Sequence, residues 1–286
     1  MEIIRTIEDL TKKIDLYKEN NMLVGIVPTM GALHEGHLSL VEKARRENDK
    51  LIVSVFVNPT QFNNPSDLAT YPRKEKEDFE LLQNAGVDIV FAPSVEEIYP
   101  AGIDKAKEEK VFELGSVADV MEGKFRPGHF QGVAQIVNKL FLLVKPDRAY
   151  FGQKDFQQIA VIRQMVKNEN LPVEIISCPI KRADDGLALS SRNLLLSPEQ
   201  RLKANNLFKV LNASLEYSKN HSVDDTIDWV VGQLNSVNEL QVEYFEIVDG
   251  DSLLPVKDWN EKNFIVGCLT CYCGNVRLID NIVYKN

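Results

Sequence analysis

The stretch Leu23-Val24-Gly25-Ile26-Val27-Pro28-Thr29-Met30-Gly31-Ala32-Leu33-His34-Glu35-Gly36-His37 decides how this chain folds. Its first five residues are an apolar, mostly β-branched run, which reads as a buried strand. Small residues then make a turn, and Leu38 to Asn48 carry an amphipathic helical pattern. A helix N-terminus gathers unpaired N–H groups and a positive dipole end, so it attracts anions. Two of the four histidines lie in this turn. His34 and His37 are three apart, which puts them on one face of a first helical turn. Imidazoles beside an anion-attracting helix end point to phosphate chemistry.

The same alternation continues outward. Leu51–Val57, Val87–Phe91, Arg148–Phe151 and Val173–Cys178 read as further buried strands. Helical patterns fall between them at Gly36–Asn48, Arg73–Ala85, Gly132–Val144 and Asp155–Glu169. Strand alternating with helix predicts an α/β fold, a parallel sheet with helices on both faces. Ligands of such sheets bind beyond the carboxyl ends of the strands. Four turns occupy those ends: TMGALHEGH, NPTQF, GQKDFQQ and KRADDGLALSSRN. After about Asn193 the pattern changes. Ser197-Pro198-Glu199 is a helix start, and one long helix is expected from there to about Lys219. A second helix, Val223–Val237, and three strands, Val242–Val248, Phe264–Cys273 and Val276–Tyr284, complete a smaller C-terminal α+β unit. The joint falls between Lys181 and Ser197, which divides the chain into 1–184 and 185–286.

Composition narrows the function. The chain has 286 residues, 44% hydrophobic and 26% charged, with a net charge of −9. That balance is ordinary for a soluble protein and argues against a general nucleic-acid binder. No run is long and apolar enough to span a bilayer, and Met1-Glu2-Ile3-Ile4-Arg5 has no signal-peptide pattern. Four cysteines do not make a disulfide framework at this length, so a reduced, cytoplasmic setting is expected. Cys271 and Cys273 share one face of a strand and Cys268 takes the other, so they read as packing residues.

The turns carry the chemistry. Gly31 and Gly36 have P-loop spacing, but His37-Leu38 stand where Lys-Ser/Thr is required. His34-Glu35-Gly36-His37 differs from the zinc-binding H-E-x-x-H in its spacing and lacks a third ligand. Gln61, at the end of the second strand, suits a small hydroxy acid. Gly152-Gln153-Lys154-Asp155 offers close backbone approach and a point charge for phosphate, and Gln158 follows one turn later. Ser190-Ser191-Arg192 offers two hydroxyls and a guanidinium at the joint, a composition suited to a phosphate-binding lid. Arg126-Pro127-Gly128-His129 reads mainly as a structural turn, with His129 a weaker pocket candidate.

With these blocks assembled, the chain resembles the pantoate–β-alanine ligases. The densest matches are PTMGALHEGH, VSVFVNPTQF, YPR at Tyr71–Arg73, RPGHFQGVAQIVNKLF, FGQKDFQQ, DDGLALSSRN and RLIDN at Arg277–Asn281. The resemblance implies a Rossmann-like nucleotide-binding fold of the His-x-Gly-His class. It implies that ATP and (R)-pantoate form a pantoyl adenylate, which β-alanine then converts to pantothenate. By the family pattern, ATP contacts Met30, Gly31, Ala32, Leu33, His34, Glu35, Gly36 and His37. It also contacts Gly152, Gln153, Lys154, Asp155, Lys181, Leu189, Ser190, Ser191 and Arg192. His34, His37, Lys154 and Arg192 are the implied catalytic groups, with His37 as proton donor. Gln61 and Gln158 are implied to hold pantoate. Mg²⁺ is implied, with Glu77 and Asp78 matching the acidic pair by position, and so is a homodimer. The residues alone leave two rivals open. One is a nucleotidyltransferase of the same class, and the other is a nucleotide-binding sensor without chemistry.

Overall fold

A computed structural model of the chain describes residues 1–62 and 65–286. Six strands form one parallel sheet: β1 (Glu2–Ile4), β2 (Val24–Thr29), β3 (Lys50–Val55), β4 (Ile89–Phe91), β5 (Arg148–Gly152) and β6 (Glu174–Cys178). Their order is β1-β4-β3-β2-β5-β6. The expected alternation holds, and its physical basis is a period of two. Ile26, Ile52, Ile89 and Phe91 face one apolar cluster with helices Ile7–Glu19, His129–Val144 and Phe156–Asn168. Val27, Leu51, Val53 and Val90 face the other, with helices Glu35–Glu47 and Glu75–Asn84.

The connections reverse direction between β2 and β5, which makes that gap the switch point. The two strands pair only at Gly25–Arg148 and Ile26–Ala149. Thr29 turns its carbonyl toward β3, where it accepts from Phe56 N–H at 3.2 Å. Pro28, one residue earlier, therefore faces β5 and has no N–H to give it. A crevice opens where the ladder stops.

The C-terminal strands β7 (Leu240–Asp249), β8 (Ile265–Cys273) and β9 (Val276–Lys285) form an antiparallel sheet in the order β7-β8-β9. One of its faces packs Phe245, Leu269, Cys271 and Cys273 against Leu207, Leu211 and Leu234 of the helices before it. The other packs Val248, Val266 and Cys268 with Met121. The cysteines thus divide by face as their spacing predicts, and all four are free and buried.

Some details differ from the expectations, among them short helices such as Val95–Ile98 and Ile103–Glu109 that the pattern does not give. The chain opens with β1 and helix Ile7–Glu19, which the residue pattern does not reveal; β1 is a three-residue strand at the sheet edge. β3 ends at Val55, because Asn58 caps a short 3₁₀ turn, Pro59–Gln61, immediately after it. The single long helix is two, Pro198–Ala204 and Asn206–Tyr217, with a one-residue turn at Asn205 between them. Among the described residues, no helix is long and apolar enough to cross a membrane.

Candidate active site

The turn after β2 is held before any ligand arrives. Gly31 and Ala32 take positive φ values of 76° and 49°. Only glycine adopts such a conformation at little cost, so Ala32 needs outside support. Asp78 supplies it. Its two carboxylate oxygens accept the N–H groups of Ala32 at 2.8 Å and Leu33 at 2.7 Å. Glu77, its neighbour in sequence, is exposed. Adjacent helical residues lie about 100° apart around the axis, so the pair cannot converge on one ion. Neither side chain lines the crevice. Of the expected metal pair, Asp78 fastens the turn and Glu77 lies exposed outside the crevice lining. Among the described residues, no group of three or more His, Cys, Asp or Glu could hold a metal ion.

The two histidines cap the helix that follows. His34 Nδ1 accepts the Gly36 N–H at 3.1 Å, and His37 Nδ1 accepts the His34 N–H at 3.3 Å. This is a reciprocal capping box built from imidazoles. With both Nδ1 atoms accepting, each ring proton sits on Nε2. The ring centroids are 4.1 Å apart. Burial lowers the pKa of His34 to about 4, with Lys154 adding to the effect. Burial lowers His37 further, to about 3, reinforced by His34 and Lys154. Both rings are therefore neutral hydrogen-bond donors at physiological pH. In the free chain the proton that His37 presents is its Nε2–H.

Later turns complete the crevice, whose volume is about 210 Å³. From the first turn Met30, His34, Gly36 and His37 line it. Gly31, Ala32, Leu33 and Glu35 do not. Gln61 enters from the second turn. Its Nε2 lies 3.1 Å from Met30 Sδ, and its Oε1 accepts from Asn58 Nδ2 at 3.2 Å. Gly152, Lys154, Asp155 and Gln158 line the third side, with Lys154 Nζ 3.2 Å from Asp155 Oδ1. Gln153 only turns the backbone, and its carbonyl accepts from Asn281 Nδ2 at 2.8 Å. Lys181, Leu189, Ser190, Ser191 and Arg192 close the fourth side. Ser191 Oγ donates to the Ala32 carbonyl at 3.1 Å, which joins the last turn to the first. Arg192 pairs with Asp67 at 3.1 Å.

A smaller adjoining cavity of about 70 Å³ shares Lys154, Asp155, Gln158, Ser190 and Arg192 with the crevice. Its far wall brings in groups to which the residue pattern gives no role. Arg277 and Asn281 reach it from β9, together with Asp280, which holds Arg182 through two hydrogen bonds of 2.6 and 2.9 Å. The signal was present as the polar cluster of RLIDN within an apolar strand. Nothing local, however, says which part of the sheet those residues meet.

The sequence profile of the Pantoate-beta-alanine ligase family matches residues 2–283. A pantothenate synthetase of Porphyromonas gingivalis is 52% identical over 286 residues, covering 100% of both chains. One from Bacteroides fragilis is 51% identical over 285 residues, covering 100% of this chain and 99% of the relative. The solved pantothenate synthetase of Thermus thermophilus has a TM-score of 0.91 and 45% identity, with 100% of each chain covered. A Francisella tularensis pantoate-beta-alanine ligase, solved as a complex with Beta-gamma ATP and Beta-alanine, has a TM-score of 0.83 and 36% identity. It covers 100% of this chain and 98% of that one. Matched end to end in sequence and in fold, the chain belongs to the pantoate–β-alanine ligase family.

Proposed function

We propose that the crevice between β2 and β5 is where this ATP-dependent ligase joins (R)-pantoate to β-alanine by way of a pantoyl adenylate. The observation that carries the assignment is the pair of fixed Nε2–H donors of His34 and His37 beside Lys154, one wall away from Gln61. The Francisella relative, solved with Beta-gamma ATP and Beta-alanine, supports ATP and β-alanine as two of the substrates.

The reaction follows from the donors. Pantoate, held by Gln61 and Gln158, presents its carboxylate to the α-phosphorus of ATP. That attack needs no base, because the carboxylate is already ionised. Negative charge grows on the α-phosphoryl oxygens as pyrophosphate leaves. His34, His37 and Lys154 stabilise that charge, and donors fixed in advance lower the barrier without reorganising. Arg192 leaves Asp67 to take a phosphate oxygen of the leaving group, and Ser190 and Ser191 cover it. The amine of β-alanine then attacks the acyl carbon, and AMP is released. The adenylate is prone to hydrolysis, so residues 185–286 act as a lid domain that keeps water out until the amine arrives.

Mg²⁺ would enter as part of the MgATP substrate and would offset phosphate charge; both Asp78 oxygens already accept backbone N–H groups. A cytoplasmic homodimer is the form in which the enzyme is expected to work. Pantoate-dependent exchange of labelled pyrophosphate into ATP tests the whole reading. Exchange without β-alanine, with AMP released only after β-alanine is added, is the expected result. A sensor would give no exchange, and a nucleotidyltransferase would retain AMP in its product.

A further inference from the structure

Gln61 sits on a three-residue 3₁₀ turn, which has little backbone bonding of its own to hold it. His129, 7% exposed, supplies what is missing. Arginine can only donate, so Arg126 Nη1, 3.2 Å from His129 Nε2, makes that nitrogen the acceptor. The ring proton is then on Nδ1, which donates to the Gln61 carbonyl at 2.9 Å. A second contact is steric. A Cβ on Gly132 would lie 2.6 Å from Gln61 N and from Thr60 O. The Gly132 carbonyl also accepts from Asn58 Nδ2 at 3.0 Å. The start of helix His129–Val144 thus rests directly on the turn that presents Gln61.

The chain of contacts continues away from the crevice. Arg126 Nη1 is 3.6 Å from Glu122 Oε2. Glu122, 9% exposed, is gripped by all three strands of the C-terminal sheet. Tyr244 of β7 and Thr270 of β8 each donate to its Oε1 at 2.9 Å. Arg277 of β9 donates to both oxygens, at 2.8 and 2.6 Å. A buried ion pair is weak evidence of net stability, because desolvation offsets much of the attraction. Its value here is geometric: one carboxylate sets the place of Arg126 against three strands.

We propose that His129 and Glu122 are positioning residues that tie Gln61, and with it the pantoate end of the crevice, to the C-terminal sheet. The proposal rests on the reading that Gln61 binds pantoate. His129→Ala leaves the Gln61 carbonyl without its donor and frees the side chain to shift. The expected effect is a rise of roughly tenfold in the KM for pantoate, with the KM for ATP unchanged. Asparagine places its Nδ2 close to where the imidazole Nδ1 was, so His129→Asn restores most of the loss. Glutamine places its amide near the Nε2 position, so His129→Gln does not. Glu122→Gln raises the pantoate KM by a smaller factor and again spares ATP.

Steady-state kinetics on the full-length enzyme, with AMP release as the readout, tests this. Adding His129→Ala to Gln61→Ala is expected to raise the pantoate KM no further, because the residue acts through Gln61. A further rise on that background would mean direct contact with pantoate and would overturn the proposal. So would equal losses for His129→Asn and His129→Gln. If Gln61→Ala raises the pantoate KM while every His129 variant matches wild type, the positioning role is refuted and the Gln61 assignment stands. If Gln61→Ala itself leaves the pantoate KM unchanged, the assignment falls and the proposal falls with it. Should His129→Ala not fold, the asparagine–glutamine pair decides alone.

Discussion

The protonation state of the histidine pair makes a prediction that separates two kinds of catalysis. Both Nδ1 atoms accept backbone N–H groups, at 3.1 and 3.3 Å, so each ring offers one Nε2–H and nothing more. With burial lowering His37 to about 3, the imidazolium is a minor species of the free enzyme at pH 7. A mechanism that needed this ion in the free enzyme would be slowed accordingly. A neutral donor forfeits nothing. The perturbation is His37→Gln, which can place an amide N–H near the Nε2 position, compared with His37→Ala, which cannot. Losing one transition-state donor costs about 10²–10³ in turnover, so alanine is expected to fall by that much and glutamine by less. The assay is pantoate-dependent pyrophosphate exchange, followed as kcat/KM for ATP between about pH 5.5 and 8. That ratio reports groups of the free enzyme, so the effect of bound triphosphate on the histidines does not enter. ATP titrates in the same range, but identically in each variant. The ratio of wild type to His37→Ala is therefore expected to be flat across the range. A ratio that grows as pH falls through about 6.5, the ordinary histidine value, would refute the neutral-donor argument.

Other outcomes follow from the same geometry. Asp78→Asn turns an amide N–H toward one of the two backbone N–H groups that the carboxylate now accepts. A loss of about 2–3 kcal/mol is expected, read as a fall of roughly 3–5 °C in a thermal melt. The magnesium dependence of the remaining activity should be unaltered, and a raised magnesium requirement would return Asp78 to the metal. Gly132→Ala should destabilise by about 1–3 kcal/mol, because the new methyl meets the Thr60–Gln61 backbone at 2.6 Å. Helix propensity alone predicts a gain of about 1 kcal/mol at the same position, so the sign of the shift in urea midpoint decides. Stability should also decline in acid in two stages. His34, His37 and His129, lowered mainly by burial to about 4, about 3 and about 4, stay neutral in the fold but charge when unfolded. Their contribution is complete above about pH 6.5 and is lost as pH falls toward 4 and below. Burial alone would raise the pKa of Glu122, but Arg277, Arg126 and Tyr244 override it and bring the value to about 2. The stability it adds is whole above about pH 4.3 and disappears as pH approaches 2. Urea midpoints across pH for wild type and Glu122→Gln test this, and equal slopes below about pH 4.5 would contradict it.

How much was legible depended on whether the cause was local. Strand alternation, the helix expected from Gly36 and the face division of Cys268 from Cys271 and Cys273 follow from periods of two and 3.6, and the structure has them, the helix beginning at Glu35. Most of the crevice lining was readable because each turn follows a strand end, where a parallel sheet places its ligands. The brace that Asp78 provides was hidden because its partners, Ala32 and Leu33, lie more than 40 residues earlier. No spacing rule distinguishes a carboxylate that braces a turn from one that binds a metal. The tautomers of His34 and His37 required distances, as did the contacts of His129 with Gln61 and Arg126. The residues of RLIDN were visible as a polar cluster, yet only the docking of β9 against the turn at Gln153 gives Asn281 two carbonyls to hold.

The hydroxyl of Ser191 resting on the Ala32 carbonyl has a consequence for entry and exit. The last turn of the crevice is already clasped to the first by a neutral hydrogen bond, with the partly exposed Arg192–Asp67 pair beside it. Such a bond contributes only about 1 kcal/mol net, so thermal motion opens it readily. The clasp is weak enough to admit a bulky triphosphate and to let AMP go afterwards. It still favours a closed doorway during the interval when the activated acyl group must be kept dry.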